Sequence, residues 1–288
     1  MNDSDRLARY DTPDENAWCP GCGNHIIQSC IKQALYELEL EPHMVLICSG
    51  IGQAAKMPHY VRANGFNGLH GRALPPAVAA KIVNPALTVI VHTGDGDSYG
   101  EGGNHFLHNI RRNVDITHFV HNNGVYGLTK GQASPTTEMG RKTGVQTEGV
   151  LSSPMNPIAL AISQDASFVA RGFTGEKEHL VGLMKEAITH RGYALVDILQ
   201  PCVVFNKVNT HKWYKERAYR IDDAYDHTDR VAAFAKSLEW DQGIPIGVIY
   251  KNERATFSDG LDHLRDKPAL VDRDWNPANA EPFVKDFY

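Results

Sequence analysis

The sequence predicts an α/β fold, an open sheet of buried strands with helices between them, on three observations. Short apolar, β-branched runs at residues 87–91, 116–120 and 193–199 lack the alternation of a half-solvated strand, so each is expected to be buried on both faces. These runs alternate along the chain with segments of helical period. Each run also leads into turn-forming or polar residues, which places polar groups at the C-terminal edge of the sheet, where open α/β sheets hold their ligands.

Length and composition set the frame. At 288 residues with 42% hydrophobic residues and a net charge of −5, the chain can bury a sizeable core. The charges are mixed and form no basic cluster, so nucleic acid is not an expected partner. No apolar run reaches membrane-spanning length and residues 1–5 carry no signal-peptide pattern, so a cytoplasmic protein with no membrane contact is expected. Five cysteines make an odd count for a disulfide framework and point instead to metal or redox chemistry.

The elements follow in order. Residues 11–16 are a polar lead-in to Trp18-Cys19-Pro20-Gly21-Cys22-Gly23, a C-x-x-C turn that offers two thiolates on one side and is shared by iron–sulfur, zinc and dithiol sites. Ile27, Cys30, Ile31, Ala34, Leu35 and Leu38 recur at helical spacing, which makes Cys30 a core residue. A strand over 44–48 ends in Cys48 and the glycine turn Ser49-Gly50-Ile51-Gly52-Gln53. A short helix over 54–64 carries Lys56 and His59, and Gly68-Leu69-His70-Gly71-Arg72 is a loop whose His70 and Arg72 either face an anionic ligand or are satisfied by main chain. Residues 74–83, opened by Pro75 and Pro76, form the helix before the central strand.

That central strand, 87–91, runs into Gly94-Asp95-Gly96-Asp97. A helix over 102–112 then leads to the strand 116–120, which ends at Asn122-Asn123-Gly124-Val125-Tyr126-Gly127. A polar loop from Leu128 to Thr136 continues into an aperiodic, mobile loop over 137–155. Helices over 156–165 and 177–190 alternate with strands at 168–170 and 193–199, the last delivering Gln200-Pro201-Cys202 to the sheet edge. Residues 206–225 lack a clear period and read as an arm; a helix over 229–238 and a strand over 244–250 follow.

Two neighbouring strands thus end in oxygen ligands. Mg²⁺ prefers oxygens in octahedral order, few of them carboxylates, together with substrate phosphate; Asp95, the Asn123 amide and a nearby main-chain carbonyl would fill half that shell. Gly94 and Gly96 would let the backbone approach a diphosphate. Each motif alone reads equally as a tight turn. Together, each closing an apolar strand, they resemble the thiamine diphosphate signature, which implies that Asp95, Asn123 and the carbonyl of Val125 hold Mg²⁺.

The C-x-x-C turn, Ser49-Gly50-Ile51-Gly52, Leu69-His70-Gly71-Arg72, Gly94-Asp95-Gly96-Asp97, Asn122 to Gly127, Thr129 to Thr136 and Leu199-Gln200-Pro201-Cys202 together resemble the β subunits of 2-oxoacid:ferredoxin oxidoreductases, in the family's order, over roughly residues 17–215. The resemblance implies a doubly wound, mostly parallel sheet of the thiamine-diphosphate-binding type over residues 1–205. A C-terminal extension over 206–288 would pack on that domain and on a partner subunit. It implies CoA-dependent oxidative decarboxylation of a 2-oxoacid to an acyl-CoA and CO₂, or its reverse, with electrons passing through a [4Fe–4S] cluster to ferredoxin. The expected cofactors are thiamine diphosphate, Mg²⁺ and the cluster. The expected assembly is a dimer of heterodimers with an α, or fused αγ, subunit; the carboxylate that activates the aminopyrimidine would come from that subunit.

At residue level the resemblance assigns Gly52, His70, Gly94, Asp95, Gly96, Asp97, Asn123, Val125, Gly127 and Leu128 to the cofactor. It sets Lys56, His70 and Leu128 beside the substrate, with Lys56 pairing a distal carboxylate and so favouring 2-oxoglutarate over pyruvate. Cys19, Cys22 and Cys202 match cluster ligands. Gln53 stands where the family has its remaining cysteine. Cys48 is the expected replacement, with Cys30 or no protein thiolate as alternatives. A different class stays open: a non-redox thiamine diphosphate decarboxylase or transketolase-like subunit whose cysteines hold structural zinc.

Overall fold

A computed structural model of the chain describes residues 7–274 and 276–288; the stretch 1–5, read above for a targeting pattern, lies outside them. Eight strands form one sheet in the order β2-β1-β3-β4-β6-β5-β8-β7. They are β1 (Val45–Ser49), β2 (Asn64–Asn67), β3 (Thr88–Gly94), β4 (Ile116–Asn122), β5 (Phe168–Phe173), β6 (Tyr193–Leu199), β7 (Ala218–Arg220) and β8 (Ile244–Lys251). The first six run parallel; β8 pairs antiparallel with β5, and β7 lies parallel to β8.

The continuous apolar runs are buried on both faces, as the absence of alternation predicts. Nine α-helices punctuate the described chain: α1 (Gly23–Glu37), α2 (Met57–Tyr60), α3 (Leu74–Val83), α4 (Gly103–Arg112), α5 (Pro157–Ser163), α6 (Lys177–Thr189), α7 (His211–Lys215), α8 (Arg230–Ser237) and α9 (Glu281–Lys285). Ile47, Ile90, Phe119 and Val196 point to one side, against α1 and α6. Cys48, Val89, Val91, Val120 and Leu195 point to the other, against α3, α4, α5 and α8. Local signals start and stop these helices: Asn156 caps α5 by accepting from Ala159 N at 2.9 Å, with Pro157 at its first position, and α4 ends at Asn113 in the left-handed region.

Two expectations change. The helix expected over 54–64 stops at Tyr60, because residues 64–67 form the exposed edge strand β2, whose Asn-Gly-Phe-Asn sequence carries no strand signal. The loop 137–155 is irregular but tied down: Gly140 N donates to Val150 O at 2.7 Å, Val150 N to Arg141 O at 3.0 Å, and the Arg141 guanidinium reaches the carbonyls of Gly124 and Phe205. In the stretch after residue 205, β7 and β8 extend the same sheet; beyond residue 251 no further strand joins it, among the described residues.

Candidate active site

Register brings the sequence motifs together. Parallel pairing sets Ser49 against His92, Gly94 against His121 and Asn122 against Leu199, so the segments after β1, β3, β4 and β6 leave the sheet at one edge. From Gly94 the chain turns through Asp95 into a single π-helical turn, Gly96–Glu101, a local widening frequent at functional sites.

Asp97, on that turn, ties three segments. Its buried Oδ1 accepts from Gly71 N (2.7 Å), Ile51 N (3.1 Å) and His70 Nδ1 (2.7 Å). With Nδ1 directed to Asp97, Nε2 is the His70 ring nitrogen that the carboxylate does not engage. Burial raises the Asp97 carboxyl above the usual carboxylate range, and the three donors oppose that shift. Gly50 is fixed by the same carboxylate, because a Cβ there would lie 2.2 Å from Asp97 Oδ2.

Asp95 is buried, and two hydroxyls hold it: Ser134 Oγ at 2.5 Å and Thr136 Oγ1 at 2.7 Å, both on Oδ2. Its Oδ1 receives a long contact from Asn123 N, 3.4 Å. Burial raises this carboxyl too, against the pull of those donors. Asn123 Oδ1 accepts from Val125 N at 3.0 Å, which folds the loop so that Asn123, Val125 and Gly127 line the same small cavity as Asp95. The cavity, about 70 Å³, is lined also by Gly52, Gln53, His70, Asp97 and Leu128.

These residues fit a metal-bound diphosphate. Asp95, Asn123 and the Val125 carbonyl would offer a metal only oxygens, the set Mg²⁺ selects. A Cβ built at Gly52, Gly94 or Gly127 would meet nothing within 4 Å, so the missing side chains leave open room. Gly96 also lines the cavity, and a Cβ there would strike the Tyr126 ring at 2.3 Å, so this glycine additionally lets that ring pack against the turn. Arg72 is exposed and bonds the carbonyls of Gly71 and Glu101. Lys56 ends a 3₁₀ turn, is half-buried, does not line the cavity and forms no ion pair among the described residues. Leu128 sits at the rim, 44% exposed.

The sequence reading passed over Ser134 and Thr136 as ligand supports, and over a network behind them. Thr136 Oγ1 lies 2.8 Å from Asn122 Oδ1, Asn122 Nδ2 donates to Asp197 at 3.2 Å, and Tyr99 OH donates to Asp197 at 2.8 Å. Burial pushes the Asp197 carboxyl up to about 6 although the buried Arg171 opposes the shift. The polar run Ser134-Pro135-Thr136-Thr137 was visible in the sequence, but its target is set by tertiary contact alone.

The chain matches the family described as thiamine pyrophosphate enzyme, C-terminal TPP binding domain, over residues 48–198. It also matches, over residues 202–266, the family described as the C-terminal part of the pyruvate ferredoxin oxidoreductase β chain. It is 48% identical to a 2-oxoacid:ferredoxin oxidoreductase subunit β of Saccharolobus solfataricus, across 83% of this chain and 82% of the relative. The chain belongs to the β subunits of the 2-oxoacid:ferredoxin oxidoreductases. This β subunit is also 33% identical to the 2-oxoglutarate synthase subunit KorB of Methanocaldococcus jannaschii, across 87% of this chain and 93% of the relative. It superposes on a 2-oxoglutarate:ferredoxin oxidoreductase from Magnetococcus marinus, solved with 2-oxoglutarate, coenzyme A and succinyl-CoA bound. That match has a TM-score of 0.90 at 32% identity and covers 96% of this chain and 95% of the other.

In this β subunit the cysteines divide. The Cys19–Gly23 turn packs on the segment after β6: Gln200 Nε2 donates to Cys22 Sγ at 3.3 Å, and a Cβ on Gly23 would lie 2.5 Å from Gln200 Cγ. Cys19 and Cys202 are close enough to raise the Cys22 thiol electrostatically, after burial as the larger cause. The structure does not bring Cys48 into this group. Cys48 points into the core under α3 and α4, while Cys22 packs on the opposite face of the sheet; burial pushes the Cys48 thiol up to about 12. Cys30 lies on the buried face of α1, its Sγ 3.8 Å from Lys177 O, and its thiol is likewise pushed up to about 12. Among the described residues no helix is long and apolar enough to cross a membrane.

Proposed function

We propose that this β subunit, joined to its α subunit, catalyses the CoA-dependent oxidative decarboxylation of 2-oxoglutarate, with a [4Fe–4S] cluster on Cys19, Cys22 and Cys202 passing electrons to ferredoxin. The observation that carries this reading is the oxygen-lined Asp95 cavity at one sheet edge, in a chain that belongs to the β subunits of the 2-oxoacid:ferredoxin oxidoreductases. The substrate is suggested by the Magnetococcus marinus enzyme, which holds 2-oxoglutarate and coenzyme A, and by the KorB relative.

Each part of the chain has a task. Asp95, Asn123 and the Val125 carbonyl would hold Mg²⁺, with Ser134 and Thr136 orienting the Asp95 carboxylate. Gly52, Gly94 and Gly127 leave the space for the diphosphate. Asp97 holds His70 through Nδ1 and so orients the ring at the cavity. Leu128 and Lys56 stand on the substrate side, Lys56 meeting the distal carboxylate. Thiamine diphosphate supplies the carbanion-stabilising chemistry when bound. A cavity of about 70 Å³ is well below the few hundred Å³ usual for a ligand of that size, which supports a site completed by the α subunit. Exposed Val271, Phe283 and Phe287 on the C-terminal extension would meet that subunit in a dimer of heterodimers.

The test is an anaerobic assay of the co-expressed subunits against a panel of 2-oxoacids, reading CoA-dependent ferredoxin reduction. Turnover should be fastest with 2-oxoglutarate and absent for the β subunit alone. Reduction that ignores coenzyme A, or a preference for pyruvate, would defeat the corresponding half of the proposal.

A further inference from the structure

We propose that the chain carries a second binding site, for a small organic monocarboxylate with an apolar body, in a cavity of about 510 Å³ behind the Asp95 site. Three neighbouring strands build its floor. Arg171 on β5 pairs in register with Asp197 on β6, and Asn122 lies two residues beyond Val120, the β4 partner of Asp197, so all three polar residues face one side of the sheet near its C-terminal end. Pro157 at the start of α5, Tyr214 on α7 and Trp240 beyond α8 line the space above them. None of the residues lining this cavity lines the Asp95 cavity.

Arg171 decides the ligand. It is 2% exposed, and its guanidinium stays charged at any ordinary pH. Among the described residues only Nη1 makes a hydrogen bond, a long one of 3.5 Å to Pro245 O, and the buried Nε has no partner. Asp197 does not supply one: its carboxylate is taken up by Tyr99 OH and Asn122 Nδ2, and it forms no ion pair with Arg171. A buried charge left in that state is costly, and an anion in the cavity would relieve it. The planar guanidinium fork matches a carboxylate. Tyr214 adds a second donor, since it is buried, lines the cavity and makes no hydrogen bond through its hydroxyl among the described residues.

The surroundings limit charge and shape. Asp197, the exposed Asp241 and Glu138, which Asn209 Nδ2 holds at 2.8 Å, line the same cavity, so a dianion is disfavoured and a single negative charge suits it. Met139, Met155, Pro157 and the Trp240 ring, whose centroid lies 5.6 Å from Arg171 Cζ, offer an apolar wall to the rest of the ligand.

The probe is phenylacetate, titrated into the αβ enzyme by calorimetry, with uncharged phenylacetamide, zwitterionic phenylalanine and inorganic phosphate as comparisons. One molecule should bind per β subunit, about tenfold or more tighter than the amide, and excess Mg²⁺ with thiamine diphosphate should not displace it. Arg171→Met should abolish the preference for acid over amide. Tyr214→Phe, which deletes only a hydroxyl and so keeps the test open if Arg171→Met fails to fold, should weaken the acid and leave the amide unchanged. The proposal is overturned if acid and amide bind equally, if either variant keeps the full preference, or if phosphate or phenylalanine binds tighter than phenylacetate. Displacement by thiamine diphosphate, or no saturable binding at millimolar concentration, overturns it as well.

Discussion

Asp95 has one oxygen engaged by two hydroxyls and the other met at 3.4 Å by Asn123 N, an arrangement suited to holding a carboxylate for a cation. Asp95→Ala should lower thiamine diphosphate and Mg²⁺ affinity of the αβ enzyme by about a hundredfold or more, measured by titration calorimetry. Thr136→Ala should cost about 10-fold to 100-fold, the range for a residue that orients a ligand; unchanged affinity in Asp95→Ala would remove it from the metal site. Lys56 is the residue to test for substrate choice. A charge-assisted contact contributes about 1.5–3 kcal/mol, so Lys56→Met should reduce 2-oxoglutarate turnover about tenfold or more while sparing pyruvate. Equal losses for the two acids would defeat that role. That Asp95 and Asn123 meet at one cavity was legible, because motifs at two strand ends fix them. Ser134, Thr136 and Asp197 were not, because a hydroxyl or buried acid carries no mark of the partner that folding brings to it. Cys48 misled for a related reason: nearness in sequence to Gln53 says nothing about which face of β1 its side chain takes.

At the level of elements, the segments after β1 and β3 and the loop before α3 are bound to one another through a single carboxylate, Asp97. Gly50→Ala would drive a methyl group to within 2.2 Å of Asp97 Oδ2. Overpacking of this kind costs about 1–3 kcal/mol, and displacement of Asp97 should also release His70. Denaturant unfolding and cofactor titration should therefore worsen together; a stable variant with normal affinity would show that Asp97 does not couple them. Elements with strong period or unbroken apolar runs, α1, α3, β3 and β6, were legible to within a few residues. β2 and β7 were not, since a four-residue exposed edge and a three-residue strand contain too few buried positions to leave a pattern.

For the molecule as a whole, buried histidines set the acid limit. His118 is enclosed by the hydroxyls of Thr93, Ser98 and Tyr193, and burial lowers its pKa to about 3. The folded value lies below the unfolded one, so at acid pH the unfolded chain takes a proton that the folded chain refuses. The contribution is level above pH about 6.5 and is lost between there and about 3, at about 1.4 kcal/mol per pH unit. His118→Gln should thus be less stable than wild type at pH 7, and its deficit should shrink by that amount for each unit below 6.5; parallel stability profiles would show that His118 is not held neutral.

The antiparallel pairing of β8 on β5 has a consequence during synthesis. Strand β5 finds its inner neighbour β6 soon after emergence, but its other edge is covered by a segment that begins only at Ile244. At about 5–20 residues per second, the ribosome leaves that row of amides and carbonyls open for several seconds. A nascent chain stalled before Ile244 would present a bare, apolar-flanked edge to its neighbours. Residues 244–251 therefore act as the cap that ends the polypeptide's exposure to self-association, and a product truncated before them should be recovered in aggregates.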